Sequence, residues 1–410
     1  MALNYVWLGF FLISFVVAVI KSVFFQDTAI FGAVMNGMLT SAKTGAEISL
    51  GLAGVMTLWL GLMKVGEAAG MITRFSRAVN PFFSKLFPEV PKGHPALGSM
   101  MMNFSATLLG LDNAATPMGL KAMKELQELN ATPEVASNSQ IMFLVLNTAG
   151  LILIPTSIIA LRMSAGAANP ADIFIPTLIS AFVTFIIGMF TVAAFQRINL
   201  FKLPILIFLA SFAALVTALY FWVTNMPPDQ IGPRMSTLGG GIIFTIVIIF
   251  LTAGLIKKIN VYDAFIEGAK EGFQVSVRII PYLVGILVAI GVFRTTGCMD
   301  YIINAFGAVF AWMGLNTDFV PTLPIVLMKP LSGGGARGLM VEVMTRYGAD
   351  SFQGKLASVI QGTSETTFYV LAVYFGSVNI KHTRYALAAG LIADFLGMTC
   401  AILLGYLFFH

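Results

Sequence analysis

The chain has 410 residues, 58% hydrophobic and only 10% charged, with a net charge of +5 and a mean hydropathy of +0.88. Soluble domains carry about a quarter charged residues, so this composition excludes an ordinary soluble protein. The basic residues are scattered over loops and form no nucleic-acid-binding run; they follow the positive-inside pattern of membrane proteins.

The apolar runs are roughly 20 residues long and do not alternate strictly, so they read as membrane-spanning helices and not as a barrel. Tyr5 to Phe24 is the first span, too long for a cleavable signal and without a basic start. Gln26 to Glu47 is mixed, with Gly32, Gly37 and Gly45, and reads as an interfacial or broken helix before a second span, Ile48 to Gly66. Thr73 to Pro95 is basic and amphipathic, suited to the headgroup plane. Ala96 to Met123 is apolar but interrupted by Asn103, Ser105, Asp112, Asn113 and Thr116-Pro117, which predicts a re-entrant or broken helix. Non-helical backbone at that depth requires burial in protein or a wet cavity. Lys121 to Pro133 is a connector. Ile141 to Leu161 is a span broken at Asn147-Thr148 and Pro155-Thr156, and Ile173 to Phe195 is another span.

After a short basic loop with Arg197 and Lys202, Leu203 to Val223 and Gly239 to Ile256 are two clean spans. Lys257 to Glu271 is charged and partly amphipathic, Ile279 to Phe293 spans again, and Tyr301 to Trp312 is amphipathic. Pro321 to Met344 is a second interrupted stretch, with Ser332 to Gly338 rich in glycine. Leu356 to Val378 is a span whose first half carries Gln361, Thr363, Ser364, Glu365, Thr366 and Thr367. A basic loop with Lys381, His382 and Arg384 precedes the last span, Tyr385 to Phe408.

The two halves share this order of events. Leu111 to Met123 matches Ser332 to Met344, and Asn147-Thr148 matches Gln361 to Thr363. Counted from the basic loops, the Ser164 to Pro170 loop faces one side and Lys381 to Arg384 the other. The expected fold is therefore an all-α polytopic membrane protein of two halves, 1–200 and 201–410, related as inverted-topology repeats. It would have about nine full spans and two re-entrant or broken helix pairs, with the N-terminus in the cytoplasm.

A carboxylate at membrane depth is costly and faces a cavity or a partner. Glu365 is thus either a site residue or one half of a structural pair with an Arg or Lys. Ser332, Gly333, Gly334 and Arg337 do not form a phosphate-binding loop, which needs Gly-Lys-Ser/Thr. They suit close helix packing, or a helix start aimed at an anion beside Lys329 and Arg337. Asp112-Asn113 reads as a cap or as a ligand pair. Asn147-Thr148 with Pro155 reads as a kink or as a source of free carbonyls. Asn103 and Ser105 line the same cavity or bond between helices. The methionines Met100, Met101, Met102, Met118 and Met123 read as lipid-facing or packing residues ahead of a soft-metal path. Cys298 and Cys400 are far apart, and His94, His382 and His410 do not cluster. No metal or catalytic constellation follows from them.

Two stretches are recognisable. FLVLNTAGLILIPTSIIALR (Phe143 to Arg162) with GLDNAATPMGLKAM (Gly110 to Met123) resembles spore maturation protein A. KPLSGGGARG (Lys329 to Gly338) with QGTSETTFYVLAVYFGSV (Gln361 to Val378) resembles spore maturation protein B. The chain looks like a fusion of the two over nearly its whole length. That group carries the nucleoside recognition, or Gate, domain, which also occurs in concentrative nucleoside transporters and in the membrane part of ferrous iron transporters. The resemblance implies a transporter-like fold of two Gate halves in a bacterial cytoplasmic membrane.

The expected function is secondary transport of a small polar metabolite: an amino acid, a small peptide or a nucleoside-like compound. The site would be formed by Gln361, Thr363, Ser364, Glu365 and Thr366 with Asn147 and Thr148. Asn103, Ser105, Asp112, Asn113, Ser332, Gly333, Gly334, Lys329 and Arg337 would complete it. No cofactor and no metal are expected, and a proton or Na+ stays open as coupling ion. The expected partners are a small-molecule substrate and the lipid bilayer, with no nucleic acid and a homo-oligomer left open. An enzyme is not expected. The competing expectations are a non-transporting scaffold or signalling protein of the envelope or spore and, more weakly, a divalent-metal carrier.

Overall fold

The computed structural model describes residues 2–91, 93–108, 112–153, 155–225 and 228–410. Helix makes up 78% of the chain. The isolated contact of extended backbone is a bridge between Val135 and His382.

The first half begins with α1 (Ala2–Phe24) and the 39-residue α2 (Ile30–Ala68). Then come the amphipathic α3 (Met71–Leu86), a hairpin of α4 (Pro95–Leu108) and α5 (Asp112–Glu128), a broken pair α6 (Asn138–Thr148) and α7 (Thr156–Ser164), and α8 (Phe174–Gln196). Next are α9 (Leu203–Thr224), α10 (Pro228–Ile256) and the 35-residue α11 (Val261–Thr295). After these come α12 (Cys298–Trp312) and a hairpin of α13 (Leu323–Met328) and α14 (Gly333–Tyr347). A second broken pair, α15 (Phe352–Gly362) and α16 (Thr367–Gly376), leads to α17 (Ala386–Phe409).

From α2 to α8 and from α11 to α17 the elements therefore repeat in order. The equivalent elements run in opposite directions. On α2 and α11, Gly37 meets Thr295, Gly45 meets Val284, Met56 meets Gly272 and Leu60 meets Gly268. Numbers rise on one helix as they fall on the other. On α8 and α17, Gly188 meets Ala393 and Thr184 meets Gly397. The 23 residues of α8 span about 34 Å at 1.5 Å per residue. One end of α8 lies by Asn138, whose carbonyl accepts from Gln196 Nε2 at 2.7 Å. The other end carries Asp172, paired with Arg162 and Lys355 at 3.0 and 2.8 Å. The loop after α7 bonds Asp350 at that second end. Its counterpart, Lys381 to Arg384, bonds Glu134 and Asn138 at the first. Equivalent loops thus lie at opposite ends, as the inverted-repeat reading requires.

Two sequence expectations are corrected. Gln26 to Glu47 is not a separate interfacial or broken element, because α2 runs unbroken to Ala68. Lys257 to Glu271 likewise belongs largely to the same helix as Ile279 to Phe293. Glycine there marks close helix contact and not a break. A Cβ at Gly268 would stand 2.3 Å from the Leu60 carbonyl oxygen, and one at Gly272 2.4 Å from that of Met56. The acidic residues of this charged stretch join a cluster at one end of the pair, where Lys64 lies within 4 Å of Glu67, Glu267 and Glu271.

By length and composition α1, α2, α8 and α17 are each able to cross a membrane among the described residues; a fifth candidate joins the end of α11 to α12 across a 72° bend. The large apolar side chains exposed along α1, such as Leu12, Phe15 and Phe24, are what a lipid-facing helix presents.

Candidate functional site

The breaks in the two interrupted spans cross at the centre of the molecule. Ser137 caps α6 in a reciprocal capping box with Gln140, and Ser351 caps α15 by accepting from the Gly354 amide. Both helices are 11 residues long, so Asn147 and Gln361 each stand ten positions after their caps (147 − 137 and 361 − 351). After them the backbone unwinds. The Glu365 amide donates to the Thr148 carbonyl at 2.8 Å. Gly150, in the left-handed region at φ 52°, lets Glu365 pack directly on it. Each break is also tied to the hairpin of its own half, Leu153 N to Leu108 O at 2.8 Å and Phe368 N to Pro330 O at 3.1 Å. Buried backbone groups freed by the breaks are thereby paired again, as membrane burial demands.

The crossing encloses a cavity of about 260 Å³. Asn147, Gln361, Ser364, Glu365, Lys329, Gly333 and Arg337 line it, with Thr107, Thr116, Ser157, Tyr369 and Tyr374. Lys329 is 3% exposed, and its ammonium donates to the Gln361 carbonyl at 2.7 Å. Glu365 and Arg337 make no ion pair within 4 Å among the described residues. Glu365 therefore forms no direct salt bridge among the described residues, although Lys329 is close enough to attract it. Among the described residues, Gln361 Oε1 and Arg337 Nε are buried without a hydrogen-bond partner, and the Ser364 hydroxyl has only the Asp394 carboxylate near it. The wall thus offers an amide oxygen, a guanidinium N–H and a carboxylate that forms no ion pair within 4 Å among the described residues. Gly333 opens α14 beside them, so its free amides add positive potential. Asn147 is held by its own amide donating to the Phe143 carbonyl at 2.8 Å. The Tyr374 hydroxyl donates to Asn147 Oδ1 and accepts from Asn103 Nδ2, both at 3.3 Å.

The other expected site residues sit elsewhere. Thr363 is buried, its hydroxyl donating to the Val359 carbonyl and sharing a 3.0 Å bond with Ser180, so it joins helices. The Thr148 hydroxyl turns back to the Val145 carbonyl. Thr366 precedes α16 and packs against Gly333. Asn103 stands behind the wall and acts on it through Tyr374. Ser105 is buried away from the cavity. Ser332 caps α14 through the Gly335 amide, and Gly334 is exposed off the wall. Asp112 and Asn113 open α5, and their side chains lie outside the described residues. Met100 and Met123 are core residues packed with Phe83 and Phe104.

Sequence reasoning passed over three features. Tyr369 and Tyr374, with Val370 and Val373, form the wall-facing stripe of α16. In an apolar run they read as ordinary span residues. Asp394, 1% exposed within α17, was signalled by its charge alone. Arg162 is fully buried and bonds Asp172, Asp350 and the carbonyls of Pro170 and Ala349.

The chain matches the family described as Gate, nucleoside recognition, over residues 49–266 and 276–381. Spore maturation protein B of Bacillus subtilis is 46% identical over 159 residues, covering 39% of this chain and 88% of that protein. Spore maturation protein A of the same organism is 40% identical over 181 residues, covering 44% of this chain and 89% of that protein. Inner membrane protein YjiG of Escherichia coli is 33% identical over 87 residues, 21% of this chain and 55% of that protein.

Proposed function

Because this chain belongs to the Gate, nucleoside recognition, family, we propose that it is a secondary transporter of a small zwitterionic metabolite, an amino acid or a short peptide. The observation that carries this reading is that Glu365 and Arg337, neither of them in an ion pair within 4 Å among the described residues, line one cavity, with Arg337 Nε unpartnered. Arg337 and Lys329 would take the substrate carboxylate, and Glu365 its amine. The charge-assisted bonds would form only when substrate is present. A volume of about 260 Å³ lies just below the ~300–1,000 Å³ usual for drug-sized ligands, which favours a small occupant. The cationic side would be superfluous for an uncharged nucleoside. A scaffold without transport would call for a salt-bridged Glu365 and no cavity; the cavity lined by Glu365 supports the transport reading instead.

Nine end-to-end traverses, with α6–α7 and α15–α16 as the two broken ones, would be the membrane crossings. The end carrying Arg197, Lys202, Lys381 and Arg384 would be cytoplasmic by the positive-inside rule. The name of the Escherichia coli relative supports an inner membrane.

The test is thermal unfolding of the purified protein with amino acids, dipeptides and nucleosides. A ligand at about 100 Kd stabilises by about 2.7 kcal/mol. Stabilisation by an amino acid or dipeptide, lost in Glu365→Gln, is the expected result. Stabilisation by nucleosides alone, or indifference to Glu365→Gln, would refute the zwitterion reading.

A further inference from the structure

A second buried carboxylate lies behind the cavity. Asp394, in α17, is 1% exposed. Its Oδ2 accepts from the Thr367 hydroxyl at 2.5 Å, and its Oδ1 makes no hydrogen bond of good geometry among the described residues. Thr367 is the first residue of α16, so this bond ties the carboxylate to the break that carries Ser364 and Glu365. Ser364, 4% exposed, has its hydroxyl within reach of the Asp394 carboxylate and lines the cavity wall.

The charged groups facing Asp394 are Lys329 and Glu365. The neighbouring faces of α8 and α6 bring the neutral Thr184 and Thr148. Lys329 forms no ion pair with Asp394 within 4 Å, its ammonium being held by Gln361. A carboxylate buried this deeply, with only the Thr367 and Ser364 hydroxyls beside it among the described residues, is unfavourable as a free anion. The facing ammonium disfavours a metal cation in the same space, whereas a proton removes the charge outright.

We propose that Asp394 is a proton-binding site separate from Glu365, loaded and emptied as the break between α15 and α16 rearranges. In the loaded form Oδ1–H donates to Ser364 while Thr367 continues to donate to Oδ2. On release the Oδ1–H bond breaks, the proton passes to water and Lys329 offsets the carboxylate left behind. Ser364 and Thr367 bracket Glu365, so proton and substrate act on one short segment. The coupling of this proton to transport rests on the transport reading; the proton site itself does not.

The experiment is pH-dependent infrared difference spectroscopy of the full chain in lipid. Wild type is expected to show a carboxylic C=O band that fades as pH rises. The band disappears in Asp394→Asn, shifts in frequency in Thr367→Val and persists in Glu365→Gln. A spectrum unchanged by Asp394→Asn overturns the proposal. If that variant fails to fold, an unshifted band in Thr367→Val overturns it instead. In proteoliposomes with an imposed pH gradient, a mixture of labelled proteinogenic amino acids is expected to accumulate with wild type and only to equilibrate with Asp394→Asn. An Asp394 band without any uptake by wild type supports the proton site and defeats the transport reading.

Discussion

Arg162 and Lys381 are both cations that bridge the two halves, and burial separates their worth. Arg162 is fully buried, 3.0 Å from Asp172 and 3.3 Å from Asp350. Lys381 and its partner Glu134 keep 66% and 58% of their side-chain exposure. Removing one partner of a buried pair strands the other and costs about 3 kcal/mol or more, whereas an exposed pair contributes about 0–1 kcal/mol. Arg162→Met is therefore expected to lower the thermal midpoint far more than Lys381→Met, measured in the same detergent. Equal midpoints would contradict the burial argument. Tyr374→Phe removes the hydroxyl that links Asn147 to Asn103. It is expected to cost about 1 kcal/mol of stability and to weaken ligand stabilisation further, because Asn147 then keeps only its bond to the Phe143 carbonyl.

At the scale of elements, the long antiparallel pair of α2 and α11 and the two broken spans divide the labour. The long pair is a frame whose closeness depends on glycine. Gly268→Val has no room beside the Leu60 carbonyl and is expected to destabilise by about 2–3 kcal/mol through overpacking. Gly240→Ala meets no atom within 4 Å and is expected to be neutral or to stabilise by up to about 1 kcal/mol through helix propensity. Matched thermal unfolding of the two variants checks the contrast. The broken spans give up helical bonds at the crossing and recover them with Thr148 and with the hairpin residues Leu108 and Pro330. Their breaks can shift relative to the frame at the cost of a few hydrogen bonds, which is what alternating access would require.

For the whole molecule, the decisive property is that equivalent loops lie at opposite ends. Ala168 and Lys381 are both exposed and flank those ends. In cells, Ala168→Cys is expected to react with a membrane-impermeant thiol reagent added outside, and Lys381→Cys only after the membrane is opened. Labelling of both from the same side would refute the inverted arrangement across the bilayer.

The sequence alone determined the class of protein, the order of events in each half and the positions of both breaks. These depend on local hydrophobicity and on polar residues at depth, which have a physical meaning wherever they fold. The serine caps and the Asn147–Gln361 correspondence were legible for the same reason. Tertiary structure decided which of those polar groups share a cavity. Thr363 and Thr366 stand within three residues of Glu365, yet Thr363 joins helices and Thr366 packs on Gly333. Tertiary structure also decided that Glu365 forms no salt bridge among the described residues and that Asp394 lies behind the same break. It made α2 and α11 continuous, since a glycine that reads as a break in one chain segment is a contact once a second helix lies against it. Such facts depend on which distant segments meet, and no local pattern carries that information.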